Sequence, residues 1–233
     1  CRDLFGGDLD VDQFNSIQEK LSDLFAKLEP TLTRPMHFAS VRDSIEDRGT
    51  VQYLQDIAEQ VGIRTEYIAI EDIGVDAVGQ FAALDDLPIE YLFKLYPWEF
   101  LFEDEFSQHL LTSRTQWFEP PWKAILSNKG ILPLLWERYP GHPNLLPAFF
   151  EKAGEALTPG WVRKPFFSRE GANIELITAQ GQTLKVAGPY GDGPFIRQAF
   201  HALPKFGDSY TLIGSWIIGD ETAGIGLTGG SSP

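Results

Sequence analysis

Two lysines and one loop are where chemistry is most readily placed in this 233-residue chain. Lys129 closes the run Leu126-Ser127-Asn128-Lys129, on or near a helix, and Lys164 stands in mid-strand within Arg163-Lys164-Pro165. A lysine inside an apolar strand is costly unless its ammonium reaches water or an anion. Phosphate oxygens are a natural partner, with lysine acting as a point charge. The same pattern fits a lysine on the solvated face of an edge strand, and the strand alone does not choose between the two. After it comes Ser168-Arg169-Glu170-Gly171-Ala172-Asn173, a small-residue interruption between two apolar strands. Gly171 and Ala172 let backbone N–H groups come close to an anion, and Arg169 adds a fork of donors. Most glycine-containing hairpin loops bind nothing, so the loop alone is a weak signal. GxxxxGK[ST] is absent, which removes the P-loop reading.

The remaining polar positions are less specific. Arg197 and Gln198 end a strand in Phe195-Ile196-Arg197-Gln198, where backbone and amide groups could meet a base edge or simply face solvent. Glu46 and Asp47 are adjacent near the end of a strand, where they favour a helix N-terminus or bind an amine. Glu71 and Asp72 end a second strand in the same way. His37, His109, His142 and His201 share no metal-ligand spacing. The single cysteine, Cys1, excludes an intrachain disulfide and a cysteine zinc site. No Ser/His/Asp set stands out.

These residues need elements to position them. Apolar side chains at Val11, Phe14, Ile17, Leu21, Leu24, Phe25 and Leu28 predict a helix over 11–28, stopped by Pro30. Strands are expected at 36–41 and 65–70, with a helix over 46–61 between them, which is a βαβ unit. Its first loop, 42–47, then lies at the carboxyl end of the sheet, where α/β folds bind ligands. Another strand is expected at 88–96, followed by helix and loop over 97–117. Glu119-Pro120-Pro121-Trp122 marks a boundary. A helix over 124–138 is expected to kink or break at Pro133. From 160 the pattern is β-rich, with strands at 161–167, 173–178, 183–187 and 194–200 and a last hairpin of 209–218 with 223–227. The fold class is therefore α/β in front and α+β behind.

A chain that is 43% apolar can bury a sizeable core. Its net charge of -14 repels nucleic-acid backbone and suits solubility or a cationic substrate such as a polyamine. Its apolar runs are far shorter than a membrane span, and no signal segment is visible, so a cytoplasmic protein is expected. The chain starts without Met and ends in Thr-Gly-Gly-Ser-Ser-Pro, which reads as a fragment of a longer protein.

The order of the motifs is more specific than any one of them. They run Asp12-Gln13-Phe14-Asn15-Ser16-Ile17, Ile70-Glu71-Asp72-Ile73-Gly74, Phe93-Lys94-Leu95-Tyr96-Pro97-Trp98-Glu99 and Glu119-Pro120-Pro121-Trp122-Lys123. Then follow Leu126-Ser127-Asn128-Lys129, Lys164-Pro165 with the 168–173 loop, and Leu203-Pro204-Lys205. Together, over residues 10 to 227, they resemble the glutathionylspermidine synthase family, in its stand-alone bacterial branch. The resemblance implies an ATP-grasp-like fold with a pre-ATP-grasp α/β part. It implies a partial pre-ATP-grasp region over 1–118, a nucleotide-binding region over 119–228 and a flexible tail over 229–233. It implies an ATP-dependent ligase that joins a small carboxylate to an amine, such as a polyamine or peptide, through an acyl phosphate. A non-catalytic binding protein that kept the fold is the alternative.

Residue by residue, the resemblance makes Lys129 and Lys164 the two ATP-contacting lysines. It makes Arg169, Glu170 and Gly171 the loop over the phosphates, with Arg169 catalytic, and Arg197 and Gln198 the adenine-side linker. Glu46 and Asp47 fall near the family's acidic pair for the polyamine. The family's Mg²⁺ ligands lie near a Tyr-Asn-Ala-Asp motif ahead of Cys1, so no metal ligand is expected in this chain. Thr228 stands where the family has an arginine placed to stabilise the transferring phosphoryl group; the resemblance implies that the parent is the ligase and leaves the activity of this chain open.

Overall fold

The computed structural model describes residues 15–191 and 193–230. The expectations for Cys1, for Val11 and Phe14 in the first helix, for Asp12-Gln13-Phe14 and for 231–233 lie outside the described residues. In chain order the front elements are α1 (Ile17–Leu28), β1 (Met36–Ser40), α2 (Ile45–Gln60), β2 (Thr65–Ala69), β3 (Gly74–Val75), β4 (Phe81–Ala82) and β5 (Tyr91–Leu95). Next come α3 (Trp98–Glu103), β6 (Gln116–Phe118), α4 (Ala124–Ser127) and α5 (Ile131–Arg138). The rest is β: β7 (Ala148–Phe150), β8 (Trp161–Pro165), β9 (Glu175–Ile177), β10 (Thr183–Lys185), β11 (Phe195–Ala199), β12 (Lys205–Phe206), β13 (Ser209–Ile218) and β14 (Glu221–Gly230).

Two compact units share the chain. One takes residues up to Tyr96, then Glu105–Glu119 and Leu203 onward; the other takes Pro97–Asp104 and Pro120–Ala202.

The first unit is built on a four-stranded sheet of order β2-β1-β5-β6, parallel throughout. Strand β1 is buried along its whole length, with Met36, Phe38 and Ala39 in the core beside the buried polar His37 and Ser40. Phe38 meets Phe25 of α1 on one side, at 6.3 Å between ring centroids, and Phe93 of β5 at 5.8 Å. Val51, Ile57 and Ala58 of α2 close the same core. Full burial of such a ring contributes about 3 kcal/mol, and Phe38→Ala is the single change that would open this layer. Ser44 caps α2 by accepting from the backbone N–H of Asp47 at 3.2 Å. Helix α1 is also tied to the three-stranded sheet β12-β13-β14: Ser16 donates its backbone N–H to the Ala223 carbonyl at 2.7 Å.

The second unit carries a five-stranded antiparallel sheet of order β10-β9-β8-β11-β7. Chain class is therefore mixed α/β, with a parallel sheet and separate antiparallel ones. Among the described residues no helix is long and apolar enough to cross a membrane.

Several boundaries differ from the sequence reading. Among the described residues helix α1 starts at Ile17, because Asn15 bridges to Gly224 and Ser16 is the N-cap. The break in 124–138 falls at Asn128-Lys129-Gly130, not at Pro133. Pro133 lies in the first turn of α5, where its missing N–H costs nothing. Strand β5 begins at Tyr91, since Pro88 is occupied in a bridge with Ala82. Strand β8 stops at Pro165 and β9 spans only Glu175–Ile177, so the connection between them is longer than expected. Strand β14 extends through Gly229 and Gly230, two residues expected to form a tail.

Candidate functional site

The pair Arg163-Lys164 is separated by the pleat of β8. The β8–β11 register sets Lys164 opposite Ile196, Arg163 opposite Arg197 and Val162 opposite Gln198. Directly opposed residues share a face, so Lys164 and Gln198 lie on one side and Arg163 and Arg197 on the other. On the far side Arg163 is consumed by Glu151: Nε donates to Oε1 at 2.7 Å and Nη2 to Oε2 at 2.8 Å. Its guanidinium also lies 3.4 Å from the Phe195 ring centroid. Arg197 pairs there with Glu155. Of these three strand cations, Lys164 alone has no acidic partner among the described residues.

Lys164 donates to the side-chain oxygen of the buried Gln198 at 2.7 Å. Burial pushes its ammonium below the usual lysine range, and the charge of Lys129 pushes in the same direction. The two lysines therefore feel each other although 35 positions apart in sequence. Lys129 reaches this locality because the chain breaks between α4 and α5. Its backbone N–H donates to the Phe166 carbonyl at 2.8 Å, just past the end of β8. Gly130 packs here with almost no clearance: an added Cβ would lie 2.9 Å from the Asn128 side chain and 3.1 Å from the Phe166 ring. The Lys129 ammonium donates to the Ser168 carbonyl at 2.6 Å. It too is lowered, first by burial, then by Arg169, with Glu99 opposing.

The β8–β9 connection closes the group. Arg169 extends from it to Glu99 on α3, at 2.7 Å. Glu170, Gly171 and Asn173 have φ of 52°, 74° and 56°, a left-handed run that tilts the loop backbone. The Gly171 position has open space around it, so its glycine answers to φ alone. Asn173 accepts from the Tyr190 backbone N–H at 2.8 Å and pins the loop to the segment before β11.

The second unit thus brings together Lys129, Lys164, Arg169 and Gln198, with Glu170 and Gly171 on the same loop. Arg197 is on the opposite sheet face, so only its backbone could serve as a linker. Glu46 and Asp47 belong to the other unit, in the first turn of α2. Nearby there, Arg42 joins the two strand ends: its backbone N–H donates to Glu71 at 3.2 Å and its guanidinium holds Asp72 at 2.5 Å. An open cleft of about 1030 Å³ follows the β2 edge and is lined by Arg34, Arg42, Arg48 and Arg64 among acidic neighbours.

Glu99 is the residue sequence reasoning missed. It is buried, with 9% of its surface exposed. In sequence it looks like any acid in the first turn of a helix after Pro97.

Three cations around a desolvated centre fit an anion of several charges, such as a polyphosphate. No group of three or more His, Cys, Asp or Glu gathers among the described residues, so they do not fit a metal ion by themselves.

The family described as "Glutathionylspermidine synthase preATP-grasp" matches residues 6–233, and the chain belongs to it. A Haemophilus influenzae protein described as "Putative acid--amine ligase" is 41% identical over 227 residues, covering 93% of this chain and 58% of that protein. Trypanothione synthetase of Crithidia fasciculata is 28% identical over 84% of this chain and 33% of its own length. The bifunctional glutathionylspermidine synthetase/amidase of Escherichia coli is 27% identical over 94% of this chain and 39% of its own length. The chain thus spans little more than half the length of its Haemophilus relative. These relatives are all named as ligases or synthetases.

Proposed function

We propose that this chain carries the nucleotide-binding part of an ATP-dependent carboxylate–amine ligase. The observation that supports it is the convergence of Lys129, Lys164 and Arg169 on one desolvated locality under a left-handed loop. In this reading 119–228 is the nucleotide-binding region and 1–118 the partial pre-ATP-grasp region.

The chemistry has two steps. A substrate carboxylate oxygen attacks the γ-phosphorus of ATP, the bond to the β-phosphate oxygen breaks, and ADP leaves. The amine nitrogen then attacks the acyl carbon; an amide forms, the C–O bond to phosphate breaks, and the amine gives up a proton. In the first step negative charge passes from the γ- to the β-phosphate, so fixed cations lower the barrier by standing ready at those oxygens. Lys164 gives up its hydrogen bond to Gln198 and Lys129 its bond to Ser168 as phosphate arrives. The burial that depresses both ammoniums is relieved by the phosphate charge. Arg169 forks over the outer phosphate from the loop, and the Glu170 and Gly171 amides add donors. Gln198 and the Arg197 backbone are the linker for the base. Mg²⁺, when bound, would neutralise phosphate charge; no step here is assigned to residues that would hold it. Glu46 and Asp47 are assigned to the amine, with a polyamine or peptide amine as the class and a cytoplasmic setting where ATP is plentiful.

Hydroxylamine traps acyl phosphates as hydroxamates. Incubating the chain with ATP, Mg²⁺, hydroxylamine and a panel of small carboxylates should give hydroxamate and an equal amount of ADP for at least one acid. ATP binding without hydroxamate from any acid would favour the alternative, a binding protein that keeps the fold, which the Thr228 position already motivates.

A further inference from the structure

A carboxylate already occupies the cationic site. Glu99 places one oxygen 2.7 Å from an Arg169 guanidinium nitrogen, while its second oxygen is buried with no hydrogen-bond partner among the described residues. Each cation of the site is engaged by an oxygen of the chain itself. Lys164 holds the Gln198 amide, Lys129 the Ser168 carbonyl, and Arg169 the Glu99 carboxylate. Of these three acceptors only Glu99 bears a charge. Lys129 and Glu99 together grip adjacent loop positions, 168 and 169, so the unliganded loop is held at two points.

The pair is uneven. Glu99 is buried, whereas the Arg169 side chain is 44% exposed. A buried carboxylate with half its acceptor capacity unused is poorly solvated and leans on its single cationic partner. Loss of Arg169 to another anion leaves Glu99 repelled by that anion, and so resists ligand entry. Glu99 also supports the charged form of Lys129, which keeps the cluster of positive charge tolerable when empty.

We propose that Glu99 is a placeholder for phosphate: in the unliganded chain it holds Arg169, and with it the 166–174 loop, until a nucleotide phosphate takes the guanidinium over. Glu99 is then a positioning residue that sets loop opening and nucleotide affinity without entering the reaction. This rests on the nucleotide reading above. It adds a cost that a polyphosphate, with more charge than one carboxylate, overcomes better than a monophosphate does.

The test uses the whole chain as wild type, Glu99→Gln, Arg169→Gln and Lys164→Met. Loop opening is read without ligand by hydrogen exchange of the 168–173 amides; affinity is read by calorimetry with ATP and Mg²⁺. Exchange should speed up in Glu99→Gln and, equally, in Arg169→Gln, which cuts the same contact from its exposed side and stays informative if the first variant fails to fold. ATP should bind Glu99→Gln more tightly, by about fivefold, and the gain should vanish when Arg169 is also replaced. Unchanged exchange in both variants overturns the placeholder. Faster exchange with ATP affinity unchanged or weaker, while Lys164→Met loses binding, also overturns it and leaves the nucleotide reading intact. Folded wild type that binds no ATP removes both.

Discussion

Lys164 is the residue on which the account turns. It was legible as a candidate because a charge inside an apolar strand is expensive. The sequence could not say which of Arg163 and Lys164 was free, since that depends on a Glu at position 151 arriving across β11 and β7. Gln198 was named from its place at a strand end, yet its role in holding the Lys164 ammonium comes from the register of β8 against β11. Glu99 was illegible: what marks it is burial beside a cation, and burial is set by packing from distant segments. The lowered state of Lys164 makes a pH prediction. With the folded value below the unfolded one, the unfolded chain holds more protons, so the stability of the unliganded chain rises with pH up to the usual lysine range. Bound phosphate reverses the shift. ATP affinity should therefore fall as pH is raised from neutrality toward that range, and calorimetry across it should show a flatter profile for Lys164→Met.

At the scale of elements, the βαβ unit was the most readable part. The strand-like stretches Met36–Ser40 and Thr65–Ala69, and the Ser44 cap before an apolar-periodic segment, specify β1, α2 and β2 with local signals. The short strands β6 and β7 were not seen, because three residues carry too little pattern and their pairing partners lie far off in sequence. The α4–α5 corner was misplaced at Pro133 because proline is a strong break signal only beyond the first turn of a helix. The real corner is made by Asn128, whose side chain accepts the Gly130 backbone N–H at 2.7 Å, and by the lack of a Cβ at Gly130. Gly130→Ala would push against the Phe166 ring and move Lys129. It should destabilise the chain by about 1–2 kcal/mol and weaken ATP binding severalfold, checked by denaturant unfolding and titration. Unchanged stability would mean that Phe166 yields freely and that the corner does not fix Lys129.

At the scale of the whole molecule, the chain has a net charge of -14 and yet collects three cations in one locality of the second unit. That contrast suits an anionic ligand in a specific site and not a generally anion-binding surface. The first unit leaves a broad apolar ribbon exposed on β13 and β14, where Leu212, Ile213, Trp216, Ile217, Ile225 and Leu227 are each at least half exposed. A two-stranded ribbon gains little stability alone, and here it is held to α1 through Ser16, Lys20 and the Asn15–Gly224 bridge. The family match covers residues 6–233 and so takes in residues of both units. The most direct measurement is calorimetric titration of the folded whole chain with ATP and Mg²⁺, comparing wild type with Lys129→Met and Lys164→Met. The account predicts saturable binding by wild type and at least about tenfold weaker binding by each variant, with the circular dichroism spectrum unchanged. Equal affinity in all three proteins, or no saturable binding by folded wild type, would contradict it.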